Sequence, residues 1–290
     1  MNDDEEIPRA LDYISPEAFR RLVNLTGAAP WLESLTLELT DLWNMCVSTC
    51  EQDLIEDLLR RYRCVTSKNM QGLGEETASQ ICCEWALTHE STVVAAISDR
   101  ADADGSQMFI QSLKNKFGEY GEWDEHNFVN RIGDSLGQLS KRSNVVLVDD
   151  FIGTGRTIER RVTWYKKRLD TLGLSTKVNL YIVTIAAMRF SRERLDKLGV
   201  SYFAPIWLGK GISEQYEGEE RQSALDAMLR MEQELKEEIN GTNMPSLGFG
   251  QSESLFAVEA HNVPNNVFPI FWWPRSRNDS RRRTLLKRLI

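Results

Sequence analysis

The sequence predicts an α/β fold, with a central parallel sheet flanked by helices, a helical N-terminal cap and a C-terminal hood. Short β-branched runs alternate with helical segments in the middle of the chain. Strands that alternate with helices in this way pair in parallel, and the helices cover both faces of the sheet. We therefore divide the chain into a cap (residues 1–90), an α/β core (91–210), a hood (211–275) and a basic tail (276–290).

The cap is predicted to consist of three helices. Ser15 and Pro16 favour a helix start, because serine caps helices and proline suits the first turn. A longer helix is expected over about 35–62, and a third over about 75–87.

The core continues as alternating strands and helices. We expect strands at 91–97, 145–148, 178–187 and 201–207, and helices at 106–117, 157–172 and 192–198. Residues 124–139 are expected to form a weaker helix or a mobile loop. In the hood, a charged helix is expected over 218–239, and SLFAVEA and VFPIFWW are expected to form two strands around the turn HNVPNN.

Composition limits the function classes. The chain is 41% hydrophobic and 27% charged, which is ordinary for a globular protein. Its start, MNDDEEIPRA, lacks the apolar core of a secretory signal, and its apolar runs are too short to span a bilayer. We therefore expect a cytoplasmic protein without membrane contact. The five cysteines suit reduced, mostly buried thiols, and their spacing completes no metal site.

Two aspartates and a glycine-rich turn follow the strand at 145–148. Ligands bind outside the C-terminal ends of parallel strands, and Asp149 and Asp150 emerge at that edge. The turn that follows consists of Gly153, Thr154, Gly155, Arg156 and Thr157. It leads into a helix N-terminus, where free N–H groups and partial positive charge favour a phosphate. Carboxylates repel phosphate, so we expect the aspartates to accept hydrogen bonds from the vicinal hydroxyls of a ribose 5-phosphate.

Other phosphate-binding loops do not fit this turn. A Walker A loop requires a lysine after its second glycine, and a dinucleotide-binding fingerprint requires a third glycine near Ile158. The alternative is a surface turn with incidental aspartates.

The stretch resembles the diphosphate-sugar-binding motif of type I phosphoribosyltransferases, which is a hydrophobic strand, two acids and a Thr-Gly-x-Thr loop. The resemblance implies that Asp149 and Asp150 are catalytic ribose ligands and that residues 153–157 cradle the 5-phosphate. It also implies phosphoribosyl diphosphate as substrate, and Mg²⁺ that meets the aspartates only through the substrate. Phe151 and Gly153 depart from the usual pattern. A glycine cannot replace the acidic base of 6-oxopurine enzymes, which argues against hypoxanthine and guanine salvage.

The family has an earlier loop that holds the diphosphate, and residues 95–107 stand in its place. The expected ligands there are Ser98, Arg100, Gly105 and Ser106. Three aspartates in the same loop would require a metal beside the diphosphate, and they equally suit an acidic surface turn. In the mobile region 114–142, lysines and arginines are available for the diphosphate, but no spacing selects one of them.

The hood turn combines amides with aromatic residues. His261, Asn262, Asn265 and Asn266 precede Phe268, Phe271, Trp272 and Trp273. This composition suits an acceptor with a planar base, and it also suits an ordinary turn beside core aromatics. The pattern GFG…HN-PNN…PIFW looks like that of phosphoribosyltransferase-like proteins from bacterial conflict and phage-defence loci, which implies an effector or partner role.

The basic tail admits two interpretations. Residues 275–290 hold seven basic residues against Asp279 alone, which would suit nucleic acid or an acidic protein partner. Alternatively, they form a terminal helix in which Leu285, Leu286 and Leu289 pack on the body. We also expect the chain to form a homo-oligomer.

The leading prediction is a phosphoribosyltransferase that acts on an unidentified nitrogen acceptor. Such chemistry requires positioning and charge stabilisation more than a covalent nucleophile. The alternatives are a non-catalytic sensor or regulatory partner that binds phosphoribosyl diphosphate or a nucleotide, and an interaction protein with a vestigial core.

Overall fold

A computed structural model describes residues 15–98 and 105–290 of the chain. The helices are α1 (Pro16–Ala28), α2 (Thr36–Asn44), α3 (Thr49–Arg60), α4 (Ser67–Ser79), α5 (Gly105–Lys114), α6 (Arg156–Thr171), α7 (Arg192–Asp196) and α8 (Gly218–Glu232). The strands are β1 (Arg63–Val65), β2 (Thr92–Ala96), β3 (Phe128–Val129), β4 (Asn144–Ile152), β5 (Asn179–Met188), β6 (Ser201–Phe203), β7 (Ile206–Leu208), β8 (Glu238–Ile239), β9 (Thr242–Asn243) and β10 (Phe256–Val258). None of the helices in these ranges is long and apolar enough to span a membrane.

The central sheet is parallel and has the strand order β3-β2-β4-β5-β6, with β7 also paired to β5. Val145 of β4 stands between Val93 of β2 and Leu180 of β5. The prediction of a central parallel sheet flanked by helices is confirmed. The strand expected over 201–207 is two strands, β6 and β7, separated by Ala204 and Pro205. Proline has no N–H for the ladder, and pairing with β5 resumes only at Ile206.

Helices bury both faces of the sheet. Side chains alternate along β4, so Val146 and Val148 pack in one core cluster, and Val145 and Leu147 pack in the other. Helices α4 and α5 cover the first face, and α6 covers the second. This two-sided burial explains why the core strands are continuous apolar runs.

The cap and the hood share one hydrophobic core. Leu25 of α1 and Ile55 of α3 pack in the same cluster as Met228 of α8 and Phe271 of the hood. Strand β1 of the cap also pairs in parallel with β10 of the hood, where Val65 stands opposite Val258. The cap therefore packs against the hood through a shared hydrophobic core and a pair of β-strands.

The helix predicted over 35–62 is wrong in one respect, because it is interrupted between α2 and α3. Ser48 accepts a hydrogen bond from Glu51 N and caps α3, while the Glu51 carboxylate accepts one from Val47 N at 2.7 Å. This reciprocal capping starts a new helix at Thr49. The predicted 218–239 helix ends early at Glu232. Residues 238–243 form the β8–β9 hairpin instead, and Asn240 and Gly241, both with positive φ, are its two-residue turn.

The hood contains one of its two predicted strands. Within SLFAVEA, residues 256–258 form β10, but VFPIFWW forms a 3-10 turn over Pro269–Phe271 instead of a strand. Pro269 cannot donate to a sheet, and its carbonyl instead accepts the N–H groups of Trp272 and Trp273. The terminal helix expected within 275–290 is also absent from the described residues, although Leu285 and Leu286 are buried as expected and Leu289 is exposed.

Candidate functional site

A cavity of about 500 Å³ lies at the C-terminal edge of the sheet, beneath the hood. The core contributes Ile97, Ser98, Gly105, Asp149, Asp150, Phe151, Ile152, Gly153, Thr154, Gly155, Thr157, Ile158 and Arg161 to its walls. The hood contributes Phe249, Asn262, Pro264, Asn265 and Asn266, and the tail contributes Arg288. The aspartate pair, the glycine-rich turn and the hood turn therefore meet in one place.

The two aspartates belong to strand β4 itself. The strand continues past Val148 to Ile152, and Asp149 stands in register with Thr184 of β5. Both aspartates are partly buried, and Asp150 N donates to Asp149 Oδ1 at 3.0 Å. The rigid sheet thus positions these carboxylates more firmly than a loop would.

Asp150 packs against the first residue of α5. A Cβ placed on Gly105 would lie 2.0 Å from Asp150 Oδ2, so a side chain at residue 105 would displace the carboxylate. The N-terminus of a helix carries partial positive charge, which favours a carboxylate at this position. Gly105 therefore brings the end of the earlier loop (residues 95–107) into contact with the aspartate pair.

Gly155 turns the chain from β4 into α6. Its φ of +74° is left-handed, a conformation that favours glycine, and it occupies the N-cap position of α6. A Cβ on Gly155 would lie 3.0 Å from Arg194 Cδ. The turn brings the start of a 16-residue helix, whose first N–H groups have no partner within the helix, to the cavity beside Thr154 and Thr157. These groups are the elements of an anion site at a helix N-terminus. The side chain of Arg156 is exposed and does not line the cavity, so this residue offers only its backbone.

Asn266 of the hood lies directly over Gly153. A Cβ on Gly153 would lie 2.3 Å from Asn266 Cγ. The amide is held in place because its Nδ2 donates to Phe249 O at 3.1 Å and to Ser252 Oγ at 2.9 Å. The departure of Gly153 from the family pattern therefore has a local cause, since the hood occupies the space of a side chain.

Two more glycines bring the hood close to this turn. A Cβ on Gly248 would lie 2.0 Å from Asn266 O, and one on Gly250 would lie 2.6 Å from Thr154 Cγ2. The segments GFG, PNN and GTG thus interlock, although they are far apart in the sequence. Phe249, between the two hood glycines, is 41% exposed and lines the cavity.

The structure does not bring every predicted site residue to the cavity. His261 does not line it, and burial without a charged partner lowers the pKa of this imidazole. Ser106 is fully buried as the second residue of α5, and Arg100 lies outside the described residues. The aromatic residues of VFPIFWWP are core, as in the ordinary-turn alternative.

Two arginines line the cavity that sequence reasoning missed. Arg161 follows Thr157 by four residues on α6, so helical spacing could have indicated it. Arg288 is in the tail, where no local pattern points to it. Its Nη1 donates to Val263 O at 2.6 Å, and burial lowers its pKa while the nearby Asp150 raises it.

Comparison with known proteins agrees with this architecture. The PRTase-CE family model matches residues 42–288. The chain belongs to the PRTase-CE family. The match runs from α2 to Arg288, so in this PRTase-CE chain it takes in the cavity, the hood and the tail arginine. With the parallel sheet, it confirms the predicted type I phosphoribosyltransferase-like fold. No curated protein matches the chain.

Two solved structures are similar to this PRTase-CE chain at low identity. One is hypoxanthine-guanine phosphoribosyltransferase from Schistosoma mansoni in complex with IMP, at 17% identity and a TM-score of 0.32. The match covers 50% of this chain and 65% of that one, which is less than two thirds of its length. The other is a hypothetical protein from Neisseria gonorrhoeae with bound ppGpp, at 12% identity and a TM-score of 0.33, covering 51% and 85% of the two chains.

The described residues suit a magnesium ion that arrives with its ligand. No group of three or more His, Cys, Asp or Glu side chains in ranges 15–98 and 105–290 could hold a metal unaided. Asp149 and Asp150 nevertheless face one cavity. Mg²⁺ in proteins commonly takes one or two carboxylates together with waters and substrate phosphates.

The five cysteines are free, and contrary to expectation they are not mostly buried, since Cys50 and Cys83 are exposed.

Proposed function

We propose that this protein binds phosphoribosyl diphosphate with Mg²⁺ and transfers the phosphoribosyl group to a nitrogen acceptor. One observation carries the proposal. The left-handed Gly155 turn at the start of α6 and the Asp149–Asp150 pair line the same cavity. An anion site and a pair of hydroxyl acceptors within one cavity suit the two ends of a ribose 5-phosphate.

The residues have separate tasks in this proposal. The 5-phosphate accepts hydrogen bonds from the first N–H groups of α6 and from the hydroxyls of Thr154 and Thr157. Asp149 and Asp150 accept hydrogen bonds from the ribose hydroxyls and hold the sugar ring in one orientation. This positioning places the anomeric carbon between its leaving group and an acceptor bound under the hood.

The reaction exchanges one bond at the anomeric carbon. The bond to the diphosphate oxygen breaks and its electron pair leaves with the diphosphate, while the acceptor nitrogen forms the new C–N bond and releases its proton to solvent. The nearby carboxylates stabilise the positive charge that develops on the sugar. Asp149 and Asp150 would hold Mg²⁺ through the bound ligand, and the ion would supply positive charge for the leaving group.

The hood supplies the acceptor side of the cavity. Phe249 presents an exposed ring, and Asn262 and Asn265 present amides. A ring face and amide groups together suit a planar base, which stacks on the ring and is hydrogen-bonded along its edge.

A second candidate is a sensor or regulatory partner that binds the same ligand without turnover. Apart from Asp149 and Asp150, the described cavity walls contain no carboxylate and no imidazole that could act as a base. Asn266 occupies the space over Gly153 where 6-oxopurine enzymes carry an acid. An effector role in bacterial defence, implied by the hood pattern, is compatible with either candidate.

Several tail arginines make contacts within the protein, so fewer of them are available for binding a partner. Arg282 donates to Ile270 O and Trp273 O, and Arg283 pairs with Asp41 at 2.7 Å. Arg277 and Arg281 are exposed and are the tail arginines best placed to contact nucleic acid or an acidic protein. Homo-oligomer formation stays a prediction.

Calorimetry and a release assay together test the proposal. We expect phosphoribosyl diphosphate with Mg²⁺ to bind, and diphosphate to be released once the correct acceptor is present. The acceptor panel should include free bases, nucleotides and nucleic acids. Binding without release across the panel would favour the sensor, and the absence of any binding would contradict both candidates.

A further inference from the structure

The chain returns to the cavity at its C-terminal end. Leu285 and Leu286 are buried, and Leu286 N donates to Phe271 O at 3.0 Å. Val263 N then donates to Lys287 O at 3.0 Å, and Leu289 N donates to Asn262 Oδ1 at 3.3 Å. Hydrogen bonds on both sides therefore hold residue 288 against the hood turn.

Arg288 is the residue that these contacts bring to the cavity wall. Its guanidinium lies 5.7 Å from the ring of Trp272, and its Nη1 donates to Val263 O. It forms no salt bridge with any residue in the part of the chain that the structure describes. Of the five N–H donors of a guanidinium, one is used within that part of the chain.

Another partly buried tail arginine provides a contrast. Arg282 donates to two backbone carbonyls, Trp273 O and Ile270 O, and it does not line the cavity. Its hydrogen bonds join the tail to the hood, so its role is structural. Arg288 has donors to spare, faces a cavity and forms no salt bridge in the described part of the chain, although the Asp150 carboxylate is nearby. A partly buried cation of this kind gains from an anionic ligand, because unpaired buried charge is costly.

The position of Arg288 identifies which anion it suits. Arg288 lines the cavity together with Asp150, and Asp150 in turn packs against Gly105, the end of the earlier loop. The 5-phosphate cradle at residues 153–157 already has the N-terminus of α6. Arg288 is therefore available for a second phosphate group of a ligand in the same cavity.

We propose that Arg288 binds the diphosphate group of the ligand, as a cation that the tail supplies to the cavity. The geometry of the planar guanidinium suits two oxygens of a diphosphate. The inference rests on the proposed function for the identity of the sugar, but binding of diphosphate by Arg288 can be tested without it.

Three variants of the full chain separate charge from structure. Arg288→Gln keeps an N–H donor for Val263 O and removes the charge, and Arg288→Lys keeps the charge and loses the planar fork. Arg281→Gln removes a charge from an exposed tail position as a matched control. Each is titrated with inorganic diphosphate, ribose 5-phosphate and phosphoribosyl diphosphate, with Mg²⁺, and its melting temperature is measured without ligand.

We expect Arg288→Gln to weaken diphosphate and phosphoribosyl diphosphate by about tenfold or more, with ribose 5-phosphate unchanged. Arg288→Lys should lose less, and Arg281→Gln should match the wild type. The inference is overturned by equal affinity in Arg288→Gln, by an equal loss for ribose 5-phosphate, by an equal loss in Arg281→Gln, or by a wild type that binds no diphosphate-containing probe. A wild type that binds inorganic diphosphate through Arg288 but not phosphoribosyl diphosphate would contradict the proposed function alone.

Discussion

The side chain of Asn266 stands where a side chain on Gly153 would have to be, with Cγ 2.3 Å from the position of a Cβ. The two residues join the hood to the glycine-rich turn, across more than a hundred residues of sequence. Asn266 is 8% exposed and its amide donates two hydrogen bonds within the hood. The shape of the cavity at this turn thus depends on the absence of a side chain from Gly153, the residue that departs from the family pattern.

We expect Gly153→Ala to displace Asn266 and to lower the free energy of unfolding by about 1–3 kcal/mol, because the new Cβ overlaps the amide. Denaturant unfolding measures the change. Gly137→Ala is the matched control, since nothing lies within 4 Å of its Cβ position. In the background of Asn266→Ala the cost of Gly153→Ala should shrink, and strictly additive costs would show that the two residues do not interact.

Replacing both aspartates by asparagine, Asp149→Asn with Asp150→Asn, should weaken phosphoribosyl diphosphate by tenfold or more. Two charge-assisted hydrogen bonds of roughly 1.5 kcal/mol each would exceed that factor. Calorimetry provides the affinity, and Asp170→Asn with Asp226→Asn, at exposed positions of α6 and α8, controls for the loss of two negative charges. Unchanged affinity in the double variant would remove the sugar role from these aspartates.

Gly155→Ala should abolish the rise in melting temperature that phosphoribosyl diphosphate produces. The left-handed φ of +74° also makes any side chain costly here, by about 1–2 kcal/mol in the unliganded protein. Gly173→Ala provides the same backbone strain at φ +66°, with nothing within 4 Å of its Cβ position and no place in the cavity. Thermal denaturation should therefore show an unliganded loss in both variants, larger in Gly155→Ala because its Cβ would also lie 3.0 Å from Arg194 Cδ. The ligand should raise the melting temperature only in Gly173→Ala. Ligand stabilisation of Gly155→Ala would assign the phosphate to another site.

Glu232 should make stability depend on pH. Burial raises the pKa of this carboxyl to about 7, against hydrogen bonds from Ser246 Oγ and Leu247 N that lower it. The folded protein therefore holds a proton that the unfolded chain releases between about pH 4.5 and 7. Over that window the free energy of unfolding should fall as pH rises, by up to about 3 kcal/mol from this group.

The test of this pH dependence is denaturant unfolding at several pH values. Glu232→Gln should remove the fall between pH 4.5 and 7, whereas Glu220→Gln, at an exposed position of the same helix, should retain it. Leu247, whose N–H donates to Glu232, directly precedes the GFG segment. Because glutamine retains an acceptor oxygen for this bond, we also expect Glu232→Gln to keep Phe249 at the cavity. An identical pH slope in Glu232→Gln and the wild type would mean that other groups cause it.

The local pattern of residues determined the core of this protein. Buried parallel strands require continuous apolar runs, and these predicted the sheet through β2, β4 and β5. Two acids followed by a Gly-Thr-Gly turn predicted the anion site, because strand end, turn and helix start are consecutive in the chain. Two of the errors fell where a proline redirects the backbone, as Pro205 does between β6 and β7 and as Pro269 does in the hood.

Only the tertiary structure decided which distant residues complete the cavity. Arg288 lines the cavity, although no sequence pattern predicted it there. His261 does not line the cavity, although the hood turn predicted that it would. Ser106 is fully buried, while Asn266 meets Gly153. Sequence periodicity reports which face of an element is buried, but not which other element covers it. That choice depends on how the cap, hood and tail share one hydrophobic core, and the free energy of that packing comes from contacts between residues far apart in the chain.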